Sequence, residues 1–111
     1  MAMVSKQLGQ VDIAAGATAE ALYSPGASTE TIIAQINVCN YGAAAIKYRI
    51  YNDDDGTTRT TATALYYDIN LGAYSTDTLK VHIALNDSNG EIAVESDIAT
   101  VCFTCWGAEV T

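Results

Sequence analysis

Three groups of residues in this sequence are of types that can do chemistry. The first is the acidic run Asp53-Asp54-Asp55-Gly56. An EF-hand loop alternates its carboxylates at positions one, three and five and places a glutamate at twelve. Here the carboxylates are consecutive, the glycine comes early, and no glutamate follows at that distance. The run reads as a solvated hairpin tip, with weak cation binding by three adjacent carboxylates left open. The second group is Cys39, Cys102 and Cys105, of which Cys102-Phe103-Thr104-Cys105 has the C-x-x-C spacing of zinc sites and redox turns. On a strand rising about 3.3 Å per residue, positions three apart lie about 10 Å apart on opposite faces. A disulfide needs Cα atoms within about 7 Å, so these two do not bridge on an unbroken strand. A metal site from Cys39, Cys102, Cys105 and His82 would need residues of two faces to converge. Free thiols packed as small apolar groups are expected, and a bridge from Cys39 to Cys102 or Cys105 across neighbouring strands stays open.

The third group holds His82, the single histidine, and Asp68. His82 lies on the polar face of an alternating segment beside Lys80 with no triad pattern around it. Asp68 is a lone strand carboxylate, whereas glycosidase chemistry needs a second across a cleft. Asn86-Asp87-Ser88 matches the glycosylation pattern, a chance match in a chain whose start lacks the apolar stretch of a secretion signal. No catalytic, cofactor-binding or metal-ligating residue is assigned, and a non-enzymatic protein without cofactor is expected. Seven tyrosines stand against one phenylalanine and one tryptophan, and such amphipathic rings suit interfaces as well as cores. Tyr66 and Tyr67 are consecutive and must point to opposite faces, one to the core and one to the surface. Exposed Tyr51, Tyr66 or Trp106 would suit stacking on a sugar.

The segments that must carry these residues alternate in the manner of half-buried strands. In 31–39, Ile32, Ala34, Ile36 and Val38 oppose Ile33, Gln35, Asn37 and Cys39. In 46–51, Ile46, Tyr48 and Ile50 oppose Lys47, Arg49 and Tyr51, and in 65–71 Leu65, Tyr67, Ile69 and Leu71 oppose Tyr66, Asp68 and Asn70. In 79–85, Leu79, Val81, Ile83 and Leu85 face inward. The run 98–106 is apolar on both faces, which places it centrally or at a subunit contact. Shorter strands are expected over 8–14, 18–23 and 91–95. Turns fall at Ser24-Pro25-Gly26, Asn40-Tyr41-Gly42, Asp53 to Gly56 and Asn86 to Gly90. Seven or eight short strands at this spacing predict an all-β antiparallel sandwich, jelly-roll-like. Residues 1–16 are poor in core formers and are expected as an arm or edge strand, with the sandwich over 17–111.

The 111 residues suit one domain, and half are hydrophobic, so a folded core is expected. The net charge of −8, with five basic residues, argues against nucleic acid or an anionic membrane as partner.

Five motifs follow one another over roughly residues 18–109: Ala21-Leu22-Tyr23-Ser24-Pro25-Gly26, Asn37-Val38-Cys39-Asn40, Tyr48-Arg49-Ile50, Leu65-Tyr66-Tyr67-Asp68-Ile69 and Val101 to Glu109. In these the chain resembles a family of small virion structural proteins of tailed phages, such as those infecting cyanobacteria. The family usually carries an alanine-glycine-aspartate turn where this chain has Asn86-Asp87-Ser88-Asn89-Gly90. The resemblance implies a β-sandwich in the virion: a capsid decoration (cement) protein on the outer capsid surface, or a neck, tail or fibre-associated adaptor. Its implied partners are the major capsid protein or other virion proteins and further copies of itself, a trimer being favoured. A host-glycan-binding module is the rival expectation.

Overall fold

With a single proline and with Val, Ile, Thr and Tyr alternating against polar residues, the chain favours pleated strands over helix. The computed structural model describes residues 3–110, in eight strands and one 3-10 turn at Thr61–Thr63. They are β1 (Met3–Asp12), β2 (Glu20–Tyr23), β3 (Glu30–Asn40), β4 (Ile46–Asp53), β5 (Ala64–Leu71), β6 (Thr76–Leu85), β7 (Glu91–Ser96) and β8 (Val101–Val110). Residues 1, 2 and 111, the outer limits of the expected arm and domain, lie outside the described residues.

One sheet has the order β1-β8-β3-β6 and the other β2-β7-β4-β5, with every pairing antiparallel. The pairs β1·β8, β2·β7, β3·β6 and β4·β5 nest, first with last and inward to a hairpin at β4–β5. Every other connection crosses between sheets, which makes the fold a jelly roll of two four-stranded layers. Within it β1 is an edge strand bonded to β8.

The interior is filled with side chains. Tyr48 and Phe103 meet edge to face at 6.2 Å between centroids, surrounded by Ile33, Ile36, Ile50 and Val94. Burial of the Tyr48 ring and its hydrogen bond to Asp77 Oδ2 (2.9 Å) hold the phenol well above its usual range, and that bond ties the two sheets together. Near the chain ends, Tyr23 Oη makes a second tie to Thr31 Oγ1 and Glu109. Burial first, then the Glu109 contact, pushes the Tyr23 phenol up to about 12.

The expected alternation breaks in two strands, each at a bulge. In β3 the register with β8 shifts between Ile33 and Gln35, so Ala34 is an extra residue there, and at the same height β6 carries an extra residue against β3. Ile33 therefore points inward with Ile36 and Val38, and Ile32 and Ala34 point outward. In β5, Ile69 pairs with Tyr48 and Tyr66 with Ile50, leaving Tyr67 and Asp68 opposite Arg49. Asp68 takes φ of 53° there, which aspartate tolerates better than most residues. Tyr66 thus packs on the core, and Leu65 and Tyr67 lie 46% and 42% exposed. The segment expected as 98–106 begins at Val101 and runs on to Val110, because 98–100 forms a turn. β8 lies between β1 and β3, the central place its two apolar faces required.

Candidate interaction surfaces

The residues singled out for chemistry are spread over the molecule. Asp53 ends β4 and accepts hydrogen bonds from Asp55 N (3.1 Å) and Thr58 N (3.2 Å), which hold its carboxyl below the usual range. Asp54 Oδ1 accepts from Asn86 N at 3.0 Å, and Asp55 turns to Asp87, whose carboxyl raises its pKa. The three carboxylates thus fasten the β4–β5 loop to itself and to the β6–β7 loop. Cys39 and Cys102 are register partners on the outer face of β3 and β8, half-buried, whereas Cys105 points into the core. All three thiols are free, and Cys39–Cys102 is the pairing that shares a face. Burial pushes the Cys105 thiol up to about 11. His82 is exposed on the outer face of edge strand β6. Asp68 is bound by Arg49 Nε at 2.7 Å, which lowers its pKa, and the same guanidinium lies 4.1 Å over the Tyr67 ring.

The rings expected on the surface are partly internal. Tyr51 is 3% exposed with its hydroxyl on Glu95 Oε1 (3.0 Å), and Tyr66 packs on the core. The burial arises because the long β4–β5 loop folds back over the outer face of its own sheet. Arg59 from that loop grips Glu91 with Nε and Nη2 at 2.7–3.0 Å and donates from Nη1 to the Ala19 carbonyl at 3.0 Å. Glu91 is thereby 4% exposed and neutralised. This pair escaped the sequence reading; the one signal for it was a lone arginine in a threonine-rich loop.

Asn40 was also missed. It ends β3, is fully buried, and joins three loops. Its Nδ2 donates to the carbonyls of Ala44 (2.9 Å) and Gly72 (3.0 Å), and its Oδ1 accepts from Gly42 N and Thr100 Oγ1, both at 3.0 Å. Backbone bonds from Tyr41 N to Thr100 O and Tyr74 N to Gly42 O complete this end.

The two ends of the sandwich consequently differ in chemistry. Loops 13–19, 41–45, 72–75 and 97–100 meet at one end and carry a single charged residue, Asp97. They expose Tyr41, Tyr74 and Ile98 among nine alanines and other small residues, with Tyr74 75% exposed at φ of 54°. The opposite end is polar and acidic, carrying Asp54, Asp55 and Asp87.

The outer faces differ as well. The β2-β7-β4-β5 face holds Arg49, Asp68, Glu95, Arg59 and Glu91 in ion pairs. By strand register, the β1-β8-β3-β6 face carries charge at Asp12 and Glu30, at opposite ends, and at Lys80 on an edge strand. Its middle holds Trp106, Ile32, Ala34 and Ala108, which with Ser5, Lys6 and Gln7 of the edge strand β1 line a shallow concavity of about 490 Å³. Around it the polar side chains bond to one another, as in Gln10 Nε2 to Thr104 Oγ1 (3.3 Å) and Gln35 Nε2 to Asn37 Oδ1 (2.9 Å).

No family model matches this sequence, and no curated protein matches it. Among solved structures, the chain is similar to a chain in the structure of infectious bursal disease virus Gx strain, at 14% identity and a TM-score of 0.46. That similarity covers 96% of this chain and 28% of the viral one, so this chain spans under a third of its neighbour's length.

Proposed function

We propose that this chain is a non-enzymatic structural protein of a tailed-phage virion, a decoration protein that binds the outer surface of the assembled capsid. The observation that carries the reading is the filled jelly roll. Jelly rolls serve capsid proteins, lectins and cupins alike, so the fold by itself does not choose. Here the interior is occupied by Tyr48, Phe103 and their neighbours, and the carboxylates of the acidic run and of Asp68 are spent on structural bonds. Of the three rings a glycan-binding module would have used, Tyr51 is buried and Tyr66 packs on the core. What the molecule offers a partner is surface: a charge-poor Tyr, Ile and Ala end, and an acidic end opposite. The five motifs shared with phage virion proteins support the same role.

In this reading the Tyr41, Tyr74 and Ile98 end sits on the major capsid protein and the acidic end faces solvent. A protein that binds only the assembled shell stabilises it by mass action, by about 2.7 kcal/mol per site at a hundredfold excess over Kd. The test is to add purified protein to capsids that lack it and follow their thermal disruption. Saturable binding with a raised disruption temperature is expected, weakened by Tyr74→Asp together with Ile98→Asp. Failure of the wild-type chain to bind any shell contradicts the proposal.

A further inference from the structure

We infer that the outer face of the β1-β8-β3-β6 sheet is the surface through which two copies of this chain pair, sheet against sheet. This deepens the proposed structural role by naming how copies meet, and it rests on that role only for its biological setting. Three observations converge on a second copy as the occupant.

The first is charge. A chain of net charge −8 repels its own kind, and the cost is least where no charge must be buried. On this face the two central strands carry no charge between their ends, its charges being Asp12 and Glu30 at the ends and Lys6 and Lys80 on the two edge strands. Interface centres are depleted of charge and enriched in aromatic rings, and Trp106 stands here.

The second is shape. Trp106 is a half-buried ring beside a concavity that it lines together with Ile32 and Ala34. A knob and a hole on the same patch is the arrangement a two-fold contact requires. With the two-fold axis in the plane between the sheets and along the strands, β8 of one copy lies over β3 of the other. The height of Trp106 is that of Gln35, next to the Ala34 bulge, so each Trp106 enters the other copy's concavity. In that arrangement β1 lies over β6, Asp12 comes over Thr76, Glu30 over Val110 and Lys80 over Gln7 beside Lys6, so no carboxylates meet and Lys6 is held by its own Glu109. Both Tyr41, Tyr74 and Ile98 ends then point the same way.

The third is area. Four strands spaced about 4.8 Å, each about ten residues of 3.3 Å, present roughly 600 Å² per copy. The total of about 1,200 Å² reaches the range of stable specific interfaces. The sequence favoured a trimer; a flat, self-complementary sheet face favours a pair.

The test is the mass of the full chain by sedimentation equilibrium from micromolar to sub-millimolar concentration. A two-chain mass is expected, favoured further by added salt, which screens the repulsion between two chains of net charge −8. Ala108→Arg should weaken the pairing at least tenfold and Trp106→Ala should weaken it measurably, with circular dichroism and melting temperature confirming that each variant folds. Lys47→Glu on the other sheet's outer face serves as the control that leaves it intact. A one-chain mass throughout, a three-chain mass, or wild-type pairing by both Ala108→Arg and Trp106→Ala overturns the inference. Should the wild-type chain stay single while Ala108→Arg abolishes binding to shells, the face belongs to the shell and the inference is overturned, leaving the decoration role standing. Pairing as expected without binding to any shell supports the inference and contradicts that role.

Discussion

Replacing Asn40 by alanine tests whether one side chain holds the charge-poor end together. The side chain is fully buried and makes four good hydrogen bonds, two donated to Ala44 O and Gly72 O and two accepted from Gly42 N and Thr100 Oγ1. A hydrogen bond contributes about 1 kcal/mol net, and a buried partner left unpaired costs about 1–3 kcal/mol more. Ala44 and Gly72 lie at the surface and can turn their carbonyls to water, so the penalty for unpaired partners is small there. The expected loss is about 3–4 kcal/mol, a large share of the 5–15 kcal/mol typical of a domain. At about 4 °C per kcal/mol for a chain of this size, the melting temperature should fall by roughly 12–16 °C. Urea unfolding followed by circular dichroism measures the loss, and hydrogen exchange should show Tyr41, Gly42 and Tyr74 amides losing protection first. Asn40→Ala combined with Thr100→Val should cost less than the sum of the two, since they share a bond. A loss under about 1 kcal/mol with unchanged amide protection would refute the assignment of Asn40 as the joint of three loops.

Further outcomes follow from the ion pairs and thiols. Arg59→Ala leaves Glu91 buried and unpaired and should cost about 3–5 kcal/mol in chemical denaturation, whereas Arg59→Met with Glu91→Leu should recover most of it. Asp68 and Glu109 are held below the usual carboxyl range, Asp68 by Arg49 and Glu109 by Lys6 and then Tyr23. Their contribution is therefore complete above the unfolded carboxyl pKa of about 4 and is lost as pH falls through the lower folded values. Melting temperature should drop below that pH, less steeply in Arg49→Met. Asp55 has the opposite sign, since Asp87 raises its pKa and its contribution is lost as pH rises through the folded value. Asp87→Asn should accordingly raise the melting temperature more at pH 7 than at acid pH. Buried Cys105, with its thiol pushed up to about 11, should resist alkylation in the folded chain, and half-buried Cys39 and Cys102 should react faster.

Much of the fold was legible because alternation survives wherever a strand is regular. In β4 and β6 the inward residues Ile46, Tyr48, Ile50, Ile83 and Leu85 are those the period of two picks out. The two-sided run at β8 announced a central strand. Parity failed in β3 and β5, where one extra residue at Ala34 or at Tyr67-Asp68 inverts the faces on one side of it, and no residue type there marks a bulge. The same inversion moved Ile32 and Ala34 outward, and so hid the apolar patch around Trp106. Asn40 looked like a turn residue because its partners, Gly72 and Thr100, lie 32 and 60 residues away. The charge-poor end was hidden for a related reason. Its four loops are scattered along the chain, and only the nesting of the strand pairs brings them together.

The central claim is a structural post on the outside of a phage shell, and imaging tests it most directly. Reconstruction of the virion carrying this chain, with its copy number counted by quantitative mass spectrometry, should place eight-stranded sandwiches on the outer capsid lattice in hundreds of copies. The Tyr41, Tyr74 and Ile98 end should rest on the major capsid protein. A dozen or fewer copies confined to the neck or tail, or none in the particle, would contradict the account.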